Sequence, residues 1–233
     1  MANESLVRLF ATRESVLFDF DGPVCDVFAE HPARGIALSL AGLISRDNAA
    51  LGAKAQSVTD PMEVLRISQQ CGDHVLSAVE DALTEEEVRA VRLVEGPVLG
   101  ARLSLESAHS SGRKVAIVSN NSVECVTEFL ALHDLQGLVH EVIGRPYRRP
   151  DLMKPAPHSI KLAAESLCSD RRKSVLIGDS VTDIEAAHSA KALAVGFANA
   201  PRKVAAMREA HADAVVTDMA TVGHALAAAS WGL

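Results

Sequence analysis

Short apolar, β-rich runs recur along this chain with helix-like segments between them, and that alternation limits the fold more than any other feature. The runs are SVLFDF (15–20), KVAIVSN (114–120), SVLIGD (174–179), ALAVGF (192–197) and ADAVVTD (212–218), with a weaker one, VHEVIG, at 139–144. They are nearly continuous in hydrophobicity instead of alternating, as expected of strands covered on both faces. The segments 98–112, 122–137, 158–168 and 181–191 read as helices, with Gly112 and Gly137 as stops. The predicted class is α/β, a doubly wound parallel sheet with helices on both faces.

Residues 24–97 break the rhythm. They hold no convincing strand and read as helices around 29–44, 60–72 and 83–96, with Thr84 and Glu87 as a capping box for the third. The stretch 45–61 gives the weakest signal. The expected organisation is a core of residues 1–23 and 98–233, interrupted after its first strand by a helical insert of residues 24–97. A chain of 233 residues is long enough for both.

In a parallel sheet, ligand sites lie beyond the carboxyl ends of the strands. The first run ends in Asp19 and Asp21, one residue apart, followed by Gly22 and Pro23. Carboxylates gathered at a strand end call for a cation, and Mg²⁺ takes oxygen ligands from one or two carboxylates plus a substrate phosphate. Other strand ends add complementary groups. Ser119 and Asn120 offer a hydroxyl and backbone amides to an anion, and Lys154, in MKPAP, offers a point charge. Asp179 follows Gly178, with Asp183 one helical turn later. Together they describe a metal-assisted phosphoryl site. Blander readings stand beside this one. Asp-Gly is turn chemistry, Ser119–Ser122 can cap a helix, Lys154 can be solvated, and Asp183 suits a helix N-terminus.

The order D-x-D-G, hydrophobic-S-N, K-P and G-D-x-x-x-D resembles the haloacid dehalogenase superfamily, and the helical insert resembles that superfamily's smaller cap. The resemblance implies an Mg²⁺-dependent phosphatase of a small phosphate monoester, of phosphoglycolate or sugar-phosphate type. Asp19 would be the nucleophile that forms an aspartyl-phosphate, and Asp21 the general acid and then base. Gly22, Ser119, Asn120 and Lys154 would hold the phosphate. Asp19, Asp179, Asp183 and the Asp21 backbone carbonyl would surround the metal. The presence of Asp21 separates the chain from the dehalogenating members, which lack that acid. Lys54, the only lysine of the insert, leaves Schiff-base chemistry as a minor possibility. The same motifs would also serve a phosphomutase of the β-phosphoglucomutase type, or a non-catalytic phosphate-ligand-binding module.

The remaining features exclude more than they assign. A net charge of −7 and 3% aromatic residues argue against nucleic acid as a partner. Cysteines at 25, 71, 125 and 168 form no C-x-x-C pair and read as reduced, mostly buried thiols of a cytoplasmic protein. Cys25 adjoins the acids, but no activating base is evident. The N-terminal residues lack the apolar run of a signal peptide, and no stretch is long enough for a membrane span. The runs RPYRRP (145–150) and EEE (85–87) read as a solvated basic loop and a solvated helix start. Arg34, Arg46 and Arg66 of the insert are cations that could meet an anionic substrate tail.

Overall fold

The computed structural model describes residues 4–229. Among them, six parallel strands form one sheet in the order β3-β2-β1-β4-β5-β6. The strands are β1 (Ser15–Phe18), β2 (Lys114–Val118), β3 (Glu141–Ile143), β4 (Ser174–Gly178), β5 (Leu193–Phe197) and β6 (Ala214–Val216). In register, Phe18 of β1 lies beside Ile117 of β2 and Ile177 of β4. Apart from Ser15, Lys114, Glu141 and Ser174 at their starts, the strands are apolar, as covering of both faces of the sheet requires. Val16 and Phe18 pack with Phe10, Leu105, Phe129 and Leu226 on one side, while Leu17 between them packs with Ile160, Leu176 and Ile184 on the other. Truncating Leu17, which is fully buried, to alanine would cost about 2–5 kcal/mol.

The covering helices are α1 (Glu4–Ala11), α6 (Ala101–Ser110), α7 (Val123–Leu132), α8 (His158–Ser166), α9 (Val181–Ser189), α10 (Pro201–Glu209) and α11 (Met219–Ala228). From β1 the chain runs outward through β2 to β3, then crosses back to β4 and runs the other way. The crevice this reversal leaves lies beyond the carboxyl ends of β1 and β4, where ligand sites of open α/β sheets form.

Between β1 and α6 stand α2 (Ala33–Asp47), α3 (Ala49–Gln56), α4 (Pro61–Ser68) and α5 (Asp73–Val91). They bury a separate apolar cluster that includes Leu40, Ile44, Leu65, Val79 and Leu83, joined by Met153 from the sheet side. Where the chain leaves and re-enters the sheet region, Val98 N–H donates to the Val24 carbonyl at 2.9 Å.

Two local expectations are corrected, and one stretch of weak signal is defined. The capping box at Thr84 does not form, because α5 runs unbroken through it from Asp73. Asp81, Ala82 and Leu83 continue the helix, so Thr84 never meets the non-helical backbone a cap requires. The helix expected to stop at Gly137 stops at Leu132. Asp134 adopts φ +51 and takes the left-handed position assigned to the glycine, while Leu135 N–H closes on the Leu130 carbonyl at 2.9 Å. The stretch 45–61, weak in signal, contains α3, whose cap is Asn48, with Oδ1 accepting from the amides of Ala50 and Leu51. At the same bend Gly52 lies against Ser45, leaving no room for a Cβ.

Candidate active site

Asp19 follows directly on β1, its amide donating to the Ile177 carbonyl of β4 at 2.8 Å. Its Oδ1 accepts from the Phe20 amide at 2.7 Å and pairs with Lys154 Nζ at 2.7 Å. The same ammonium lies 2.6 Å from Asp183 Oδ1 and donates to the Val118 carbonyl at the end of β2 at 3.1 Å. Asp19, Lys154 and Asp183 are all buried. Lys154 is therefore a bridge between two carboxylates and not a solvated lysine.

Ser119 sits at the end of β2, buried, with its hydroxyl in a tight turn: Oγ accepts from the Asn121 amide at 3.1 Å and donates to Asn121 Oδ1 at 3.0 Å. Ser122 caps α7, with Oγ accepting from Cys125 N–H. The capping reading of this segment holds at Ser122, while the Ser119 hydroxyl lies at the strand end beside the lysine loop. Asn120 ties the turn to the lysine loop: its Oδ1 accepts from the Lys154 amide at 2.9 Å and its Nδ2 donates to the Lys154 carbonyl at 3.3 Å.

At the end of β4, Gly178 leaves the space that Asp183 fills; a Cβ there would meet Asp183 Cγ at 2.4 Å. Asp183 Oδ2 accepts from the amide and hydroxyl of Ser180 in a capping box, so Asp183 closes the first turn of α9 while its other oxygen meets Lys154. Gly22 (φ +100) likewise lies against Asp179, with no room for a Cβ. Gly22 opens onto a cavity of about 350 Å³ shared with Asp21, Asp179 and Asn199. The larger cavity, about 400 Å³, is lined by Asp19, Asp21, Ser119, Asn120, Lys154 and Asp179, among others. The sequence-predicted residues therefore converge, except that Gly22 faces the smaller cavity and Asp183 lines neither, joining the others through Lys154.

One oxygen each from Asp19, Asp179 and Asp183 lies within 4.8 Å of the others. The Asp21 carboxylate is not in this group; its Oδ1 accepts from the Val27 amide at 3.0 Å. Burial, with the charges of Asp183 and Asp179, pushes the Asp19 carboxyl well up despite Lys154. Burial also raises Asp21, to about 7, and raises Asp179 in spite of Lys203. Burial alone would raise Asp183, but the Lys154 charge and hydrogen bonds from Lys154 and Ser180 carry it below the usual range. Desolvation opposes the charge of Lys154, yet Asp183 and Asp19 hold it raised. Four carboxylates thus face Lys154 and Lys203. Asp183 Oδ1 is buried, with the Lys154 ammonium 2.6 Å away beside it. An excess of crowded carboxylate oxygens of this kind fits a hard divalent cation.

Several groups escaped the sequence reading. Lys203 of α10 pairs with Asp179 Oδ2, and Asn199 Nδ2 donates to the same oxygen at 3.3 Å. Both follow β5, so the strand-end argument applied to that strand would have found them. Arg145 and Glu87 correct the solvated readings of their runs. Arg145 is buried, with Nε on Glu80 and Nη1 on Glu87, each at 2.8 Å, and Glu87 is fully buried. Cys25 and Cys125 are buried as expected, but Cys168 is exposed. Burial and Asp21 push the Cys25 thiol up, which leaves no thiolate for nucleophilic chemistry. Arg148 and Arg149 pair with Asp73 and Asp151.

Fold and site together define an α/β enzyme with an acidic strand-end centre. The model of the haloacid dehalogenase-like hydrolase family matches residues 50–197, more than half the chain. The chain belongs to that family and is a hydrolase. Asp19 and Asp21 lie before the matched stretch. A curated phosphoglycolate phosphatase of Aquifex aeolicus is 27% identical over 183 residues, 73% of this chain and 78% of the relative. Among solved structures, β-phosphoglucomutase from Clostridium difficile superimposes with a TM-score of 0.67 at 16% identity, covering 89% of this chain and 92% of its own. CbbY from Rhodobacter sphaeroides, in complex with phosphate, gives 0.64 at 18%, covering 92% and 99%. At these identities the structural likeness establishes the fold. No described helix is long and apolar enough to cross a membrane.

Proposed function

We propose that the protein is a Mg²⁺-dependent phosphatase that hydrolyses a small phosphate monoester through an aspartyl-phosphate on Asp19. The observation that carries the reading is the meeting of Asp19, Asp179 and Asp183 oxygens within 4.8 Å, with Lys154 bridging two of them. The phosphoglycolate phosphatase relative and the phosphate complex of a structural neighbour support it.

Asp19, Asp179 and Asp183, with the Asp21 carbonyl, would hold the cation, which when bound offsets carboxylate repulsion and the charge of the phosphoryl group. Lys154 keeps Asp19 aimed and neutralises the phosphoryl oxygens. The Ser119 hydroxyl and the amides after it donate to those oxygens. An Asp19 oxygen attacks phosphorus as the ester P–O bond breaks, and Asp21 gives its proton to the departing alkoxide. Water then gives a proton to Asp21 and attacks the aspartyl-phosphate, releasing inorganic phosphate and restoring the Asp19 carboxylate. A carboxyl raised to about 7 suits both of Asp21's duties near neutral pH.

Residues 24–97 would act as a cap domain over the core of residues 1–23 and 98–233, excluding water and contacting the leaving group. Their own apolar cluster and the Val24–Val98 crossing support that partition. The four free cysteines support a cytoplasmic setting. The test is release of phosphate from p-nitrophenyl phosphate with and without Mg²⁺. Turnover that requires the metal and disappears in Asp19→Asn supports the reading; metal-independent turnover, or an active variant, rejects it.

A further inference from the structure

The larger cavity records what kind of alcohol can leave. Its floor carries the phosphate-holding groups already described. The helical block contributes Phe28, Ala33, Thr59, Asp60, Pro61 and Met62 to its lining. Ser180 and Thr182 add hydroxyls at the side. Among the described residues lining it, Lys154 is the only cation, and its ammonium is already shared between Asp19 and Asp183. Asp60 brings a further carboxylate to the wall. It is held there by its own structural duty, with Oδ1 accepting from Met62 N–H at 2.9 Å at the start of α4.

The arginines of the block do not compensate. Arg66 reaches toward the floor, but its Nη2 donates to the Lys154 carbonyl at 3.1 Å and its Nη1 lies 3.5 Å from Glu63. Neither Arg34 nor Arg46 lines the cavity. A leaving group with its own carboxylate would find no free positive partner and would face Asp60, and an unpaired charge in a half-enclosed site is strongly disfavoured.

Resting on the phosphatase reading, we propose that the substrate's leaving alcohol is small, hydroxylated and free of any second anionic group, with Asp60 rejecting carboxylate-bearing esters such as phosphoglycolate. Thr59, Ser180, Thr182 and Asp60 would accept from or donate to its hydroxyls. A cavity of about 400 Å³ holds an ester of a few carbons. Discrimination by an unfavourable contact with the wrong partner is an established route to specificity.

The experiment compares kcat/KM within two matched pairs: 2-hydroxyethyl phosphate against phosphoglycolate, and glycerol 3-phosphate against 3-phosphoglycerate. Each pair exchanges CH₂OH for a carboxylate. At low ionic strength the hydroxyl member is expected to win by roughly tenfold or more. The ratio should shrink at high salt, which screens like-charge repulsion. It should also shrink in Asp60→Asn, which retains the helix cap. Equal or better turnover of the carboxylate members, or a ratio that ignores both salt and Asp60→Asn, overturns the inference. If those esters fail and p-nitrophenyl phosphate fails too, the phosphatase reading falls and takes the inference with it. Turnover of p-nitrophenyl phosphate with a preference for carboxylate members rejects the inference alone.

Discussion

Glu87 of α5 and Arg145 after β3 meet at 2.8 Å with side-chain exposures of 0% and 1%. Around this pair the helical block grips the turn that follows β2. Glu87 accepts from Asn121 Nδ2 and from the Ser122 amide, while Arg145 donates to the Asn120 carbonyl. The contact links a helix of the block to the turn that carries Ser119.

Breaking this pair should cost more than its surface counterparts. Arg145→Met strands both Glu80 and Glu87 in the interior, and losing one side of a buried pair costs about 3–5 kcal/mol. Removing Arg149, whose partner Asp151 is exposed, should cost about 1 kcal/mol or less. Urea midpoints of the two variants decide between these magnitudes.

Asp21 should matter most where the leaving group is poor. Asp21→Asn is expected to slow hydrolysis of an alkyl phosphate by about 100- to 10,000-fold. An aryl phosphate, whose oxygen departs without a proton, should suffer much less in the first step. Equal losses on the two ester types would remove Asp21 from the acid's role.

The same residue gives the metal-free protein a pH signature. The Asp21 carboxyl is raised from 3.8 to about 7, so between those values the native state holds a proton that the unfolded chain has released. Its stabilising share is complete below about pH 4 and is lost as pH rises toward 7. Asp19 is raised too and has the same sign. Asp183, being lowered, acts in the opposite sense below 3.8. Urea unfolding in EDTA from pH 4.5 to 7.5 should therefore show a smaller downward contribution in Asp21→Asn than in the wild type. Matching profiles would contradict the assignment.

Lys203 should compete with the cation. Its ammonium pairs with Asp179 Oδ2, one of the three converging carboxylates. Lys203→Met is expected to tighten Mn²⁺ binding by roughly three- to fivefold, the scale of a partly exposed ion pair. Isothermal titration calorimetry measures this without reference to turnover. Unchanged or weaker binding would argue that Lys203 supports Asp179 and does not compete for it.

The parallel sheet and the acids at its edge are written into short stretches of sequence. Continuous apolar runs such as SVLF are stable only between two covering layers, and a carboxylate directly after such a run must emerge at the strand's carboxyl end. Asp19, Ser119 and Asp179 were legible for that reason, whereas Lys154, in a loop past β3, and Asp183, inside α9, were legible from the order of motifs. Which charges are neutralised, and by what, emerges only when distant elements pack. Glu87 reads as one of three solvated acids, yet it is buried because Arg145, 58 residues later, reaches it. Lys203 meets Asp179 across 24 residues, and Asp60 of the helical block lines the same cavity as Asp19 and Lys154. Local spacing fixes which face of its own element a side chain occupies. The partner across the gap depends on how separate elements pack, and no short-range pattern encodes that.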